Sequence, residues 1–372
     1  MDKYLHIVCF DVPYPPDYGG VSDIFYKIKT LHEEGVKIIL HCFEYGRGEH
    51  PELNLYCENV IYYPRKKKAI VNNKLPYIVA SRINKTLEDN LSKDNHPILI
   101  EGIHCSYLVY NNKLKDRKVL IRLHNVEYLY YQYLCKIEYK PLRKLYFYIE
   151  SQRLKKYEMR LALMANFLAI NEKDRDWYQE TLKAKNIKWL PAFVAGNQIN
   201  SLDGLGEYCL YQGNLSVIEN EMAALWLMEK IFTITRKPLI IAGKNPSTKL
   251  KKLLKKFPGV QLVSNPLENE MLELTKNAQI ILAPSFNITG SKIKLFNALI
   301  QGRHVLSNAA GVAGSGLENL CILADTEEQF ISKINEYFTT TFTQHEKDRR
   351  STTLFSIYNN RKNAIEIMEQ LF

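Results

Sequence analysis

A glycine and two lysines at the start of an apolar helix form the pattern in this sequence that most directly indicates chemistry. Gly290, Lys292 and Lys294 follow a loop of Pro, Ser and Asn, and the helix they begin is apolar nearly all round as far as Gly302. Buried helices do not normally carry charge, because a buried ammonium group needs a partner. The first turn of a helix has unpaired N–H groups and a positive dipole end, so it favours anions. The pattern predicts a phosphate site, with a glycine that lets a ligand approach the main chain.

Asn297 extends this predicted site. It lies seven residues, or two helical turns, beyond Gly290 and is therefore expected on the same face. Its amide would supply a hydrogen-bonding group one step deeper than the phosphate. An ordinary buried helix whose lysines reach back to solvent is the alternative interpretation.

The bulk composition favours a globular protein with anionic partners. The 372 residues allow two domains of ordinary size, and the net charge of +10 suits nucleotide diphosphates, acidic lipids or nucleic acid. The seven cysteines are scattered without a C-x-x-C pair, which is typical of reduced thiols. No apolar run approaches the roughly 18–20 residues of a membrane span. We therefore expect a cytoplasmic protein, either soluble or peripheral on the inner face of the membrane.

Apolar strands alternate with amphipathic helices along most of the chain, which predicts an α/β fold with doubly wound parallel sheets. We expect an N-terminal domain over residues 1–192, a linker at 193–207 that lacks periodicity, and a second domain over 208–343. The final segment, 344–372, is expected to be helical and amphipathic.

In the first domain, chemical groups collect where strands end. His104 and His124 end two successive apolar strands, and Glu127 follows the second. Ligands of open parallel sheets bind at the carboxyl ends of strands, so both histidines are candidates for chemistry, with structural histidines as the alternative. Gly19 and Gly20 end the loop between the first strand and a helix that starts at about Val21, although a tight turn that needs glycine explains them equally well.

In the second domain, glycines stand at two further strand ends. The pairs are Gly213-Asn214 and Gly243-Lys244. Lys244 adds a third candidate phosphate cation to Lys292 and Lys294. Asp174 and Asp176 form an Asp-x-Asp sequence, but it falls inside a predicted helix, where the two side chains diverge. We interpret that pair as a solvated face and predict no metal site.

Residues 128–160 are both aromatic and basic. They contain eight tyrosines and eight Lys or Arg, against three glutamates. Such a mixture suits the headgroup region of a membrane or a lipid-linked acceptor, whereas a helix that covers the sheet with a charged outer face is the plain alternative. The basic run from Arg65 to Lys68 is interpreted in the same two ways.

The segment from Gly290 to Leu306 resembles the donor-binding segment of two-domain (GT-B) glycosyltransferases of the family-four type. That segment has a glycine, a basic residue, Leu-Glu-Ala, a second glycine and an apolar strand. The resemblance extends to His104, which matches a histidine beside the transferred sugar, and to His124-Asn125-x-Glu127. It implies two Rossmann-like domains that face a cleft, and in such proteins the final helix commonly crosses back onto the first domain.

The resemblance also implies an activity. A sugar would pass, with retention and without a metal or other cofactor, from a nucleotide-diphosphate sugar to a glycan or lipid-linked acceptor, in surface polysaccharide or glycolipid assembly. The expected catalytic residues are His104, His124 and Glu127. The expected donor-binding residues are Gly19, Gly20, Gly213, Asn214, Gly243, Lys244, Thr289, Gly290, Ser291, Lys292, Lys294 and Asn297.

Three positions depart from the family pattern. Asn297 and Thr289 stand where the family has glutamates, and Asn214 stands where it has an arginine. They leave open a degenerate GT-B protein that binds without catalysis. A nucleotide-sugar epimerase of the same fold is the other alternative. Nucleic-acid binding is not expected, because no nucleic-acid-binding module is present.

Overall fold

The computed structural model describes residues 2–66, 74–287, 289–290 and 292–372. It divides into two compact units. Unit 1 contains the N-terminal part of the chain as far as Ala195, the short stretch of Thr289 and Gly290, and the C-terminal residues from Tyr358. Unit 2 contains the rest, beginning at Gly196.

Unit 1 is built on a sheet of seven parallel strands in the order β3-β2-β1-β4-β5-β6-β7. Strands and helices alternate along the chain, as a doubly wound fold requires. The strands are β1 (Lys3–Cys9), β2 (Val36–Glu44), β3 (Asn59–Pro64), β4 (Ile98–Glu101), β5 (Val119–Leu123), β6 (Asn166–Ala169) and β7 (Asn186–Trp189). The helices are α1 (Gly19–Glu33), α2 (Tyr77–Ala80), α3 (Lys85–Leu91), α4 (Tyr107–Tyr110), α5 (Glu127–Ile137), α6 (Pro141–Ala162) and α7 (Glu172–Glu180).

Unit 2 has a sheet of six parallel strands in the order β10-β9-β8-β11-β12-β13. The strands are β8 (Cys209–Gln212), β9 (Leu239–Gly243), β10 (Val260–Ser264), β11 (Ile280–Ala283), β12 (His304–Ser307) and β13 (Ile322–Leu323). The helices are α8 (Ile218–Trp226), α9 (Thr233–Thr235), α10 (Thr248–Leu254), α11 (Glu268–Asn277), α12 (Ile293–Gln301), α13 (Ala309–Val312), α14 (Glu327–Tyr337) and α15 (Gln344–Ile357). A π-helical turn, Leu227–Phe232, joins α8 to α9.

The C-terminal segment forms two helices where the sequence suggested one. Helix α15 ends at Ile357, and Asn359 caps a new helix, α16 (Asn360–Leu371), by accepting a hydrogen bond from Lys362 N. Helix α16 packs within unit 1. Asn360 exchanges hydrogen bonds of 3.0 and 2.9 Å with the main chain of Val194, and Asn363 Nδ2 donates to Pro191 O.

A chain of hydrogen bonds crosses the first strands of unit 1. His6 Nε2 lies 3.0 Å from Asp94 Oδ1, and His6 Nδ1 lies 2.9 Å from His41 Nε2. His41 Nδ1 in turn lies 2.9 Å from Tyr63 Oη, which accepts a hydrogen bond from Asn90. Burial lowers the pKa of His6, against the opposing effect of Asp94, and lowers that of His41 to about 3. The neutral imidazoles are therefore part of the native core.

This arrangement predicts that unit 1 is sensitive to acid. In the unfolded chain both histidines bind a proton near pH 6.5, whereas in the fold they do so only at lower pH. The free energy of unfolding is therefore highest above about pH 6.5. Below that pH it declines by roughly 1.4 kcal/mol per pH unit for each histidine that stays neutral in the folded protein. Thermal unfolding at pH 7.5 and 5.0 measures the effect. His41→Gln should lower Tm at pH 7.5 yet show a smaller loss on acidification; an unchanged pH dependence would contradict the assignment.

Candidate functional site

At the carboxyl edge of the unit 1 sheet, five ionisable side chains are buried in mutual contact. Lys27 Nζ, from α1, lies 2.9 Å from Asp23 Oδ2 and 2.6 Å from Glu101 Oε1 at the end of β4. Arg122, on β5, binds Asp23 Oδ1 at 3.2 Å, and His124 Nε2 lies 2.9 Å from Glu101 Oε2. We call this set the buried ion network. Its two carboxylates are matched by two cations, so the charge is balanced inside the protein.

The network fixes the ionisation of its own acids. Burial alone would raise the pKa of Asp23, but Arg122 and Lys27 hold it well below its usual range. For Glu101 burial is likewise outweighed, mainly by Lys27 and His124, and its pKa is lowered. By spacing alone, Asp23, Glu101 and His124 could hold a metal ion. The carboxylates of Asp23 and Glu101, however, are already paired with Lys27 and Arg122, and His124 Nε2 contacts Glu101, so we assign all three a structural role.

Arg122 also ties the network to the end of the unit. It donates hydrogen bonds to the carbonyl groups of Leu190 and Pro191, at 2.6 and 2.9 Å. Asp23 Oδ1 accepts a further hydrogen bond from Phe193 N. The chain that follows β7 is therefore held against α1 and β5.

His104 and His124 come together against one aromatic ring, that of Phe10. His104 lies on the turn after β4, with its ring 5.0 Å from Phe10, and the His124 ring meets Phe10 edge-on at 5.1 Å. In each histidine Nδ1 is buried and has no hydrogen-bond partner among the residues that the structure describes. Burial, followed by the charge of Arg82, holds the pKa of His104 well below its usual range. His104 is thus a neutral imidazole that can exchange hydrogen bonds but does not carry charge.

The glycines predicted beside these histidines lie at the start of α1. Gly19 is its first residue, and a Cβ on Gly20 would lie 3.1 Å from the Phe10 ring. Tyr18, just before them, donates a hydrogen bond of 2.7 Å to Asp11. Gly20 thus allows α1 to begin close to Phe10.

Glu127 lies at the start of α5, three residues after His124. Its side chain is buried, and burial raises its pKa to about 7, with Asn125 opposing the rise and Asp174 adding to it. Asn125 Nδ2 is 3.5 Å from its Oε1, a weak contact. Glu127 is therefore a carboxyl group that can exchange a proton near neutral pH.

The prediction that Asp174 and Asp176 form a solvated face is wrong for Asp174. Asp174 is only 2% exposed, and its Oδ2 accepts a hydrogen bond of 3.1 Å from Gly290 N. Asp176 instead pairs with Arg175 at the surface. Helical periodicity could have revealed the difference, because Asp174 is one turn before the fully buried Tyr178 and shares its face.

Gly290 needs to be glycine. Its φ is +80°, and a Cβ there would overlap Asn125 Oδ1. Its N–H bonds Asp174, as described, and its carbonyl accepts from Asn171 Nδ2 at 3.1 Å. The close approach predicted at this main chain is therefore made by side chains of unit 1. Thr289 beside it is buried, and Ser291 lies outside the described residues.

In unit 2, the predicted phosphate cations lie at the start of α12. Lys292 caps the helix and its Nζ donates to Asn287 O at 3.2 Å, while Lys294 Nζ donates to Asn220 Oδ1 at 2.9 Å. Lys294 and Asn297 occupy the exposed stripe of a helix whose other side chains are mostly buried. The ammonium end of Lys294 is nevertheless enclosed by protein, which lowers its pKa, with Glu219 opposing the effect.

Two residues at this edge were missed from the sequence, Glu219 and Asn220. Burial raises the pKa of Glu219, with Lys294 and Lys292 opposing the rise, and its Oε2 has no hydrogen-bond partner in the described part of the chain. Asn220 Nδ2 donates to Asn214 O, so Asn220 joins that loop to Lys294. The signal in the sequence is their place in the first turn of the helix that follows Gly213.

The two glycine pairs of unit 2 form adjoining loops at the ends of β8 and β9. A Cβ on Gly243 would overlap the Gly213 carbonyl oxygen, so only glycine permits this packing. Asn214 Oδ1 accepts hydrogen bonds from Ser216 N and Oγ, at 3.1 and 2.8 Å, and thereby closes its own turn. Lys244 follows on the exposed side. The structure thus brings together Gly213, Asn214, Gly243, Lys292 and Lys294.

No protein-family model matches the chain. A relative described as an uncharacterized 44.6 kDa protein in a cps region of Klebsiella pneumoniae is 26% identical over 354 residues, 89% of this chain and 90% of the relative.

Several solved glycosyltransferase structures match nearly the whole length of both chains. A glycosyltransferase from Rickettsia africae has 15% identity and a TM-score of 0.67, covering 99% of this chain and 98% of its own. WaaG, a glycosyltransferase involved in lipopolysaccharide biosynthesis, has 12% identity and a TM-score of 0.63, with 99% of both chains covered. Anabaena HepE in complex with UDP and glucose has 10% identity and a TM-score of 0.61, covering 100% and 99%. At these identities the likeness shows the fold, and the predicted GT-B fold is confirmed.

The buried ion network predicts a large effect of removing its central cation. Lys27→Met leaves Asp23 and Glu101 without that partner, and such a loss typically costs about 3–5 kcal/mol. Lys29→Met, the same change two residues along α1, should stay within about 0.5 kcal/mol. Urea unfolding of both variants makes the comparison, and equal losses of stability would show that the network has no special weight.

Proposed function

We propose that this chain, which has the GT-B fold, is a glycosyltransferase that moves a sugar from a nucleotide-diphosphate donor to a glycan or lipid-linked acceptor. The observation that carries the proposal is the group of Lys292, Lys294 and Asn220 beside the glycine loops of β8 and β9. Solved structures of the same fold support it, and one of them holds UDP and glucose. The relative in a cps region supports a place in surface polysaccharide or glycolipid assembly.

Unit 2 would bind the donor. A diphosphate carries negative charge that grows on the leaving group as the glycosidic bond breaks. Ammonium groups already fixed near that position lower the barrier, which is electrostatic catalysis. Lys294 is held by Asn220, and Lys292 by the carbonyl of Asn287, so little rearrangement is needed. Lys244 and Asn297, both exposed at this edge, complete the proposed donor site. We propose that these cations replace a metal and that transfer proceeds with retention, as the family resemblance implies.

Unit 1 would supply groups to a sugar substrate. The neutral His104 can donate or accept a hydrogen bond with a sugar hydroxyl, and His124 stands beside it with its own open Nδ1. Glu127, with a pKa near 7, is the third proposed catalytic group. We propose positioning for the two histidines and proton exchange for Glu127.

Binding without chemistry is the second candidate function. Asn214 uses its side chain to close its own turn, and so does not stand in for the arginine of the family pattern. A protein that binds donors but transfers nothing would show affinity for nucleotides and no turnover. An epimerase would show turnover without an acceptor.

We further propose that unit 1 works against an anionic membrane through the helical hairpin of α5 and α6. Large apolar side chains stand exposed where the two helices meet: Leu142 is 84% exposed and Tyr139 78%, and Leu145 is exposed beside them. Around them Lys136, Lys140 and Lys144 are also exposed. Apolar tips with flanking lysines suit the boundary between headgroups and acyl chains. Within the described chain, no helix is both long and apolar enough to span a bilayer.

Removing either lysine of α12 should weaken donor binding. Lys292→Ala and Lys294→Ala should each reduce the affinity for UDP, GDP or ADP by about 1–3 kcal/mol, because each removes a charge-assisted contact to phosphate. Calorimetric titration measures this, with Lys252→Ala on α10 as a control at an exposed lysine of the same unit. Unchanged affinity in both α12 variants would rule out the donor site.

His104→Ala should leave nucleotide affinity intact while lowering sugar turnover by roughly 10²–10⁴.

Vesicle binding should depend on charge and on the hairpin tip. Co-sedimentation with phosphatidylglycerol vesicles should decline as salt rises, because exposed charges are screened, and each lysine removed should cost about 1 kcal/mol. Leu142→Ser should also weaken binding, whereas Leu267→Ser, at an equally exposed leucine of unit 2, should not. Equal binding to phosphatidylcholine vesicles would count against the electrostatic part.

A further inference from the structure

Arg65 lies between two tyrosine rings at the carboxyl edge of the unit 1 sheet. It follows β3, with its Cζ 4.5 Å from the ring centre of Tyr45 and 5.1 Å from that of Tyr77. Tyr45 follows β2, and Tyr77 begins α2. Contacts of this kind hold a guanidinium group through the electron-rich faces of the rings. The two rings therefore fix the plane of the Arg65 side chain.

The hydrogen bonds of Arg65 leave its outer face open. Its Nε donates to Ser81 Oγ at 3.2 Å. Among the residues that the structure describes, its two terminal amino groups have no hydrogen-bond partner. A guanidinium group held in this way presents a rigid fork, which matches two oxygens of a phosphate or carboxylate. Arg65 itself is half-buried, and Tyr45 beside it is 41% exposed.

Two nearby arginines, Arg82 and Arg47, bind other groups of the protein. Arg82 is buried, and its Nε and Nη2 both donate to Phe10 O, at 3.0 and 2.9 Å. Arg47 binds Asp17 at 2.9 Å, so an acid already neutralises its charge. Unlike these two, Arg65 has terminal amino groups that contact neither a carbonyl nor a carboxylate oxygen within the described chain.

The position of Arg65 relates it to both proposed working parts of unit 1. On one side, Arg82 binds the main chain of Phe10, whose ring packs on His104. Burial is the main cause of the lowered pKa of His104, and the charges of Arg82 and Arg65 add to it. On the other side, Tyr77 N donates to Glu150 Oε2 of α6 at 2.6 Å. Arg65 therefore lies between the helical hairpin and the histidine pair.

We infer that Arg65 binds a phosphate group of the acceptor through both of its terminal amino groups. The inference rests on the proposed function and adds the chemistry of the acceptor: an oxyanion close to the sugar that receives the transfer. Such a phosphate belongs either to a soluble phosphorylated sugar or to the headgroup of a lipid carrier. The place of Arg65 between the hairpin and His104 suits both sources, since it lies where a membrane-bound headgroup would meet the site.

Titration with two phosphate probes tests this. In the soluble arm, hexyl phosphate is compared with the neutral hexyl glucoside. In the membrane arm, phosphatidylcholine vesicles with and without phosphatidic acid are compared. Arg65→Gln should weaken phosphate binding about tenfold or more, as expected for charge-assisted hydrogen bonds. Arg65→Lys should weaken it nearly as much, because an ammonium group lacks the fork. Lys66→Gln removes the same charge from the next, exposed residue and should have little effect.

The outcomes separate the possibilities. If Arg65→Gln weakens the binding of hexyl phosphate, the phosphate is assigned to a free sugar phosphate. If it weakens only the binding to vesicles with phosphatidic acid, the phosphate is assigned to a lipid headgroup. Both results support the site. No loss in either arm, equal loss in Lys66→Gln, or loss in Lys292→Ala without loss in Arg65→Gln would overturn it. Arg65→Gln should retain the melting temperature and the nucleotide affinity of the wild type. A protein that binds no nucleotide in any form would instead refute the proposed function itself.

Discussion

The position of Lys27 between Asp23 and Glu101 is the interaction on which unit 1 depends. A buried ammonium group is tolerated only where carboxylates surround it, and the carboxylates in turn need it and Arg122. The network joins α1, β4, β5 and the chain after β7, so four separate parts of the sequence meet at one set of charges. Because Glu101 also bonds His124, the network sets the orientation of one histidine of the proposed site. The buried ion network has the residue types of a catalytic site, but its role here is to support the catalytic candidates.

Unit 2 solves a different problem at the corresponding edge of its sheet. Lys292 and Lys294 donate hydrogen bonds there to uncharged oxygens, those of Asn287 and Asn220, and the acid nearby, Glu219, keeps one oxygen unpartnered among the described residues. An ammonium group that contacts an uncharged oxygen can take up an anionic ligand without breaking an ion pair, which the cations of the buried ion network cannot do. The edge of the unit 1 sheet is thus suited to holding residues in place, and the edge of the unit 2 sheet to binding an anion.

The sequence was most informative where periodicity and strand ends carry the signal. Continuous apolar runs located most strands, and the rule that parallel strands collect ligands at their carboxyl ends placed His104 beside His124 and Gly213 beside Gly243. It was less informative about partners distant along the chain. The helical face that Asp174 shares with Tyr178 indicates its burial, but its hydrogen bond from Gly290 N, 116 residues later, has no local signal. The pairing of Lys27 with Glu101 spans 74 residues and is equally invisible locally. The roles proposed for the site residues remain predictions.

The placement of α16 in unit 1 has a consequence for the order in which the protein can be made. Asn360 and Asn363 bond Val194 and Pro191, the same stretch of chain that Arg122 holds. During synthesis, which proceeds from the N-terminus, that stretch emerges long before its partners do, and the whole of α8 to α15 is translated in between. Unit 1 therefore cannot be completed until all of unit 2 has been translated. Until α16 has been synthesised, the surface of unit 1 that it covers stays exposed.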